Sequence, residues 1–331
     1  MTETLAANLA ANLAAVLFAG APLALAALGE TLSERAGVIN LSVDGTILFS
    51  AMAAFAAART TGNAWLGMAA GALAGAFVAG VLAVVGLRLR APILAVGFIL
   101  TLLCRDLAYF LGHPHARQPG PDLGVWTIPG LADIPFLGTV IGRQSPVVYL
   151  SIAALAAIAY FLYRTRAGLA LRAAGEAPRA AFARGIPVER LRTLYCLVGG
   201  AFSGIAGAAY SLGVKPGWGH PQGAEGSGWI ALAIVIFGGW RPSRVVLGAY
   251  FFALIQVAGI HLQDSLPGVP ATIFQIAPFP VMIVTLLGIN IRRSGRFRDA
   301  VQGLPLLGRL AGKPPAGAPG ALAGVLDQDA A

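Results

Sequence analysis

Charge is scarce in this sequence. Asp, Glu, Lys and Arg make up 11% of the 331 residues and hydrophobic residues 57%, whereas a soluble domain is about a quarter charged. So few charges cannot cover a soluble surface of this size. The apolar runs are long enough to cross a hydrocarbon core of about 30 Å, which takes roughly 20 residues each. None alternates as a barrel strand would. The sequence therefore predicts an all-α, polytopic helical membrane protein with about 8–10 transmembrane helices.

Several other absences narrow the function. The two cysteines, Cys104 and Cys196, lie in apolar surroundings, as small core residues do, and do not suggest a disulfide or a metal site. His113 and His115 form an H-x-H pair, but no nearby Cys or Glu completes a metal site, so a loop surface is expected. No nucleophile–histidine–carboxylate set stands out, and neither an enzyme nor a cofactor is predicted. A phosphate loop requires Gly-x-x-x-x-Gly-Lys-[Ser/Thr]. The nearest run, "GRLAGKP" at Gly308–Pro314, is one residue short and ends in proline, so any ATP hydrolysis belongs to a separate chain. The net charge of +9 comes without a basic stripe interleaved with aromatics, which argues against nucleic acid. The N-terminal run has no basic n-region, so no cleaved signal peptide is expected.

What is present is a series of apolar runs at about 4–29, 45–58, 62–87, 88–112, 146–163, 193–213, 228–240, 245–262 and 272–290. A Pro- and Gly-rich loop at 113–143 and a Pro/Gly/Ala-rich tail at 294–331, expected to be disordered, complete a chain whose membrane domain is 1–293. Arginines gather at Arg88 and Arg90, between Arg164 and Arg192, at Arg241 and Arg244, and from Arg292 to Arg298. Cytoplasmic loops carry such an excess. The expected topology is multi-pass in the bilayer, with a cytoplasmic C-terminus, an external N-terminus and loop 113–143 outside.

Polar residues among the apolar runs are the candidate path. Intramembrane charges are costly and usually face a bundle interior or water, which singles out Asp44, Arg105 and Asp106. The alternative for the last two is an interface, or pairing with other side chains. Asn40, Gln256 and Gln275 either hydrogen-bond a solute or join helices. The stretch "GETLSERAGVINLSVDG", Gly29–Gly45, predicts a discontinuous segment near 37–45. Glu34 and Arg35 should lie near the cytoplasmic face, and Val38 to Gly45 should re-enter the bundle. Non-helical backbone at that depth is tolerated only inside protein or beside water. Asp44 suits an N-cap for the helix that follows.

The loop 164–192, "RTRAGLALRAAGEAPRAAFARGIPVERLR", is too long for a simple turn. It reads as a short helix, a break, and a second helix opened by Pro178 and ended by Gly185. It is either a solvated basic loop that sets topology or a docking element for a partner. Here "GEAPRAAFARGI" resembles the coupling-helix loop of ABC importer permeases. "ERAGVINLSVDG" and "GSGWIALAIVIFGGWRPSRVVLGAYFFALIQ" resemble blocks of the branched-chain amino acid/ribose permease family, closest to the nucleoside-type (simple sugar-like) permeases. Ser42 and Asp44 stand where that family usually has Gly and Glu, and Ala177 where Asn is common.

The resemblance implies the permease subunit of a bacterial inner-membrane ABC importer for small polar solutes, most simply nucleosides. It implies two ATP-binding subunits, a second permease chain forming a heterodimer, and an external solute-binding protein. It also implies that Gly175, Glu176, Pro178, Arg179, Ala180, Ala181, Arg184, Gly185 and Ile186 contact the ATPase. The alternatives are branched-chain amino acids or sugars within the same family, or a secondary transporter. The last would more often carry intramembrane carboxylates for ion coupling, of which there are few here.

Overall fold

The computed structural model describes residues 2–265, Pro280, Val284 and 319–322. The expected span at 272–290, with Gln275, and the tail from 294 lie outside these residues, save for the points named. The described chain is helical almost throughout. In order it comprises α1 (Thr2–Arg35), α2 (Val43–Thr61), α3 (Ala64–Leu82), α4 (Ile93–Gly112), α5 (Pro146–Arg164), α6 (Arg166–Glu176), α7 (Pro178–Ala183), α8 (Val188–Ala209), α9 (Ser227–Gly238) and α10 (Pro242–Ser265). A two-residue hairpin, β1 (Trp126–Thr127) against β2 (Arg143–Gln144), closes the long loop between α4 and α5. One compact unit runs to Tyr250 and includes residues 319–322. A second begins at Phe251 and, among the described residues, holds the rest of α10 with Pro280 and Val284.

Local chemistry sets the ends of these helices. Asn63 caps α3, its side-chain oxygen accepting from the Trp65 and Leu66 amides at 2.8 and 3.4 Å. Thr165 caps α6 through the Gly168 amide at 3.0 Å. Pro146 and Pro178 open α5 and α7, where a missing N–H costs nothing. α3 and α8 continue past their regular turns as π-helix, over Ala83–Arg88 and Tyr210–Val214.

Among the described residues, six helices are long and apolar enough to cross a membrane: α1, α3, α4, α5, α8 and α10. The protein is a polytopic helical membrane protein. α2 differs from these six in being enclosed: it packs against α3, α4, α8 and α9, and residues from Val43 to Ala58 are buried on most of its faces. The apolar run expected as a span at 228–240 is a 12-residue helix. At 1.5 Å per residue it reaches only about 18 Å, well short of a ~30 Å crossing. The first helix does not stop at residue 29 but continues to Arg35. Glu30, Thr31, Ser33 and Glu34 are 0–3% exposed, so the polar residues that look like the end of an apolar run are interior ones, and Ser33 and Glu34 bond Tyr195 and Trp240 far along the chain. α8 likewise starts at Val188, five residues before the expected 193.

Small residues let the helices meet. A Cβ on Gly75 of α3 would fall on the Gly200 carbonyl oxygen and within 2.7 Å of the Gly204 amide nitrogen and Cα on α8. With no lipid-excluding hydrophobic force between helices, such close backbone contact supplies the packing energy. Gly75→Val should therefore lower stability by about 1–3 kcal/mol or more through overpacking. Gly213→Ala, whose Cβ would find only Leu123 Cδ1 at 4.0 Å, should leave the thermal unfolding midpoint in detergent unchanged.

Candidate functional site

The polar chain break between α1 and α2 is the first element of the site. Residues 36–42 are non-helical, and Val38, Asn40 and Ser42 are fully buried. Several of its backbone groups find partners. The Val38 amide donates to the Ser33 carbonyl at 3.0 Å. The Asn40 amide donates to Glu30 Oε1 at 2.9 Å, and the Ser42 amide to Asn40 Oδ1 at 3.0 Å. The Thr101 hydroxyl of α4 donates to the Leu41 carbonyl at 2.6 Å. The end of α1 also grips the turn between α9 and α10. Arg35 donates from Nε and Nη2 to the Trp240 carbonyl at 3.1 and 3.0 Å, and the Trp240 indole N–H donates to Glu34 Oε2. Arg192 of α8 donates to the Ala36 carbonyl at 3.2 Å.

Asp44 lies at the start of α2 and is 6% exposed. The residue at the N-cap of α2 is Ser42, so the expected cap role for Asp44 on its own helix does not hold. Its Oδ1 instead accepts from the Gly228 amide at 3.0 Å, in the first turn of α9. It thus satisfies amides that a helix start leaves open, with the favourable sign for the helix dipole. A Cβ at Gly228 would collide with the Asp44 backbone, so glycine lets the two helix starts meet.

The connection from Lys215 to Gly226 lies beside this junction. Gln222, 1% exposed, organises it: Nε2 donates to the Gly217 carbonyl at 3.1 Å, and Oε1 accepts from the Gly219 amide at 3.1 Å. Glu225 accepts from the Gln222 and Gly223 amides at 2.7 and 2.6 Å and from the Tyr109 hydroxyl of α4. Burial works to raise its carboxyl, but the Tyr109 hydroxyl and the backbone amides outweigh it and hold Glu225 below the usual carboxylate range. It is therefore anionic at neutral pH. The Tyr109 ring sits 4.3 Å from the His220 ring and 5.7 Å from Trp218. Phe98 and Trp229, half-exposed, pair at 6.4 Å.

Among the residues expected on the path, Asp44 has Glu225 and Arg105 within electrostatic reach, but its hydrogen bond is to the Gly228 amide and that of Arg105 is to Asp106. Arg105 and Tyr109 are one turn apart on the same face of α4. Asp106 pairs with its neighbour Arg105 at 3.5 Å, and the two are 73% and 48% exposed. The Asn40 side-chain oxygen accepts from the Ser42 amide and hydroxyl, and its Nδ2 is buried without a partner among the described residues. Gln256 of α10 is exposed. Tyr109, Trp218, His220 and Glu225 escape a reading of the sequence because they come from two segments about a hundred residues apart. The one signal was the i, i+4 step from Arg105 to Tyr109. The carboxylates and the Tyr109 hydroxyl can hydrogen-bond a polar ring compound and the exposed His220 ring can stack on one, whereas Trp218, 4% exposed, packs inside the protein; the set contains no nucleophile poised against a base.

At the arginine-rich end, α6 and α7 form the expected helix–break–helix, with Ala177 non-helical between them and Gly185 at φ +79° after them. Gly175 packs on the Arg35 carbonyl so closely that a Cβ would overlap it. Ala181 is buried with Ala174 and Val188, and Ile186 packs against them. Glu176, Arg179, Ala180, Arg184 and Gly185 face outward, and Pro178 is half-buried. Phe182, absent from the expected set, is 73% exposed on the same short helix.

Known proteins share this sequence pattern. Residues 12–286 match the family model BPD_transp_2, described as a branched-chain amino acid transport system permease component. The chain is 38% identical over 76% of its length to TsgC13 of Haloferax volcanii, a protein assigned as a glucose ABC transporter permease, covering 77% of it. It is 31% identical to the nucleoside ABC transporter permease protein NupC of Lactococcus lactis, over 82% of this chain and 89% of that one. It is 32% identical to the guanosine ABC transporter permease protein NupQ of Bacillus subtilis, over 83% and 90%. In fold it is similar to an inward-facing structure assigned to a metal-chelate type ABC transporter, with a TM-score of 0.50 and 15% identity over 84% of this chain and 85% of that one. The chain belongs to the BPD_transp_2 family of ABC transporter permease components.

Proposed function

We propose that this permease passes nucleosides, or closely similar hydroxylated ring solutes, through the group formed by Asp44, Arg105, Tyr109 and Glu225. The observation that carries this reading is the pairing of an ionised carboxylate with an aromatic cluster: Glu225 and the Tyr109 hydroxyl, with the His220 and Trp218 rings at 4.3 and 5.7 Å. A ribose offers hydroxyls to carboxylates, and a base offers a π-face and ring nitrogens. The nucleoside and guanosine permeases among the relatives support the same choice. A glucose permease relative favours a second reading, a sugar, which would use the carboxylates and leave the stacking faces idle.

The chain then works with two ATP-binding subunits that hydrolyse ATP, a second permease chain in a heterodimer, and an external binding protein that delivers solute. It sits in a bacterial cytoplasmic membrane with its arginine-rich end and C-terminus in the cytoplasm. There α6 and α7 dock on the ATPase. Phe182 serves as an aromatic anchor between Arg179 and Arg184, which steer the approach. The end of α1 carries the motion onward, since it touches Gly175 on one side and Trp240 on the other.

Two measurements test this. Tyr109→Phe keeps the ring and removes the hydroxyl from Glu225. Uptake of labelled nucleoside by the reconstituted transporter should fall about tenfold, the worth of a hydrogen bond to a charged group, and glucose should not compete at equal concentration. Arg179→Glu combined with Arg184→Glu should lower both uptake and solute-stimulated ATP hydrolysis at least tenfold while membrane insertion stays normal. Unchanged coupling would remove α7 from the ATPase contact.

A further inference from the structure

Two hollows beside α3 and α8 share a lining residue, Leu197. One, of about 550 Å³, is a groove lined by Leu73, Phe77, Gly80, Val81, Val84 and Leu197, with only apolar residues along it. The other, of about 630 Å³, lies at the arginine-rich end and is lined by Arg88, Arg90 and Arg190, with Glu189, Thr193 and Leu194. The groove follows α3 from Leu73 to Val85, which at 1.5 Å per residue is about 18 Å. That is roughly one leaflet of a ~30 Å hydrocarbon core.

We propose that these hollows form a single binding site for an anionic diacyl phospholipid, with one acyl chain in the groove and the phosphate among Arg88, Arg90 and Arg190. The groove is apolar along its whole length, as an acyl chain requires. Charge argues for an anionic headgroup, because three guanidinium groups face one carboxylate, and arginine forks match phosphate oxygens. The backbone is shaped for the site as well. The end of α3 widens into π-helix over Ala83–Arg88, a distortion frequent at functional positions, and Arg90 is held at φ +57°. At Gly80 a Cβ would come within 3.2 Å of Leu197 Cδ2, so glycine keeps the groove floor open.

The test uses the purified full chain, delipidated in detergent and titrated with phosphatidylglycerol, phosphatidylcholine or inorganic phosphate, with bound species counted by native mass spectrometry. Phosphatidylglycerol should be preferred over phosphatidylcholine by on the order of thirty- to a hundredfold, from the attraction of two to three arginines to an anionic headgroup. Inorganic phosphate should not compete. Arg88→Gln, Arg90→Gln and Arg190→Gln together should erase the preference, the three Lys replacements should retain most of it, and Gly80→Phe should reduce retention of both lipids. A photoactivatable phosphatidylglycerol should label the peptide containing Leu197. A preference that survives the triple Gln variant, effective competition by inorganic phosphate, or labelling confined to other helices would overturn the assignment.

Discussion

Backbone that leaves the helix inside an apolar interior must find its hydrogen bonds within the protein, and the segment between α1 and α2 meets much of that demand through buried side chains. Ser33, Glu30, Asn40 and Thr101 each take or give one bond to the turn from Val38 to Ser42. Once the turn is built, α2 is released into the middle of the bundle, and its first residues lie where α9 begins. The same stretch of α1 supplies Glu34 and Arg35 to Trp240, which sets where α9 ends. Both ends of the short helix α9 are therefore tied to the one interrupted region: its start through Asp44, its end through Arg35.

This arrangement explains how a 12-residue helix can persist in a membrane protein. Isolated helices of that length are marginal. α9 is held by a carboxylate at its positive end and by the Trp240 contacts after its last turn. It also joins the two regions proposed to serve transport. Its start abuts the Asp44–Arg105–Tyr109–Glu225 group, and the turn after its end touches the part of α1 on which α6 rests. On the proposed function, a tilt of α6 and α7 would reach the polar group through Arg35, Trp240 and α9.

The class of the fold was legible from composition, and the helix–break–helix at 166–183 from Pro178 and Gly185 alone, because proline and glycine act locally. The discontinuity near 37–45 was legible from its polar run between apolar ones. What could not be read was set by partners distant in sequence. Glu30 and Glu34 looked like the end of a helix, because nothing nearby reveals that Asn40 and Trp240 will satisfy them. Asp44 looked like a cap for its own helix, because the Gly228 amide lies 184 residues away. The apolar run at 228–240 looked like a span, because hydropathy measures apolarity and not the Gly226 and Gly239 left-handed turns that bound the helix. Of the polar group, Asp44 and Arg105 were visible as costly charges, while Tyr109, Trp218 and Glu225 became a set only when the chain folded.

The central claim is that this permease passes a nucleoside-like solute under the control of a separate ATPase. The most direct measurement is uptake into vesicles of the complete transporter, with labelled guanosine, glucose and leucine offered separately, with and without internal ATP. The account predicts ATP-dependent accumulation of guanosine and little of the other two. Accumulation of guanosine without ATP, or ATP-driven accumulation of glucose or leucine in its place, would contradict it.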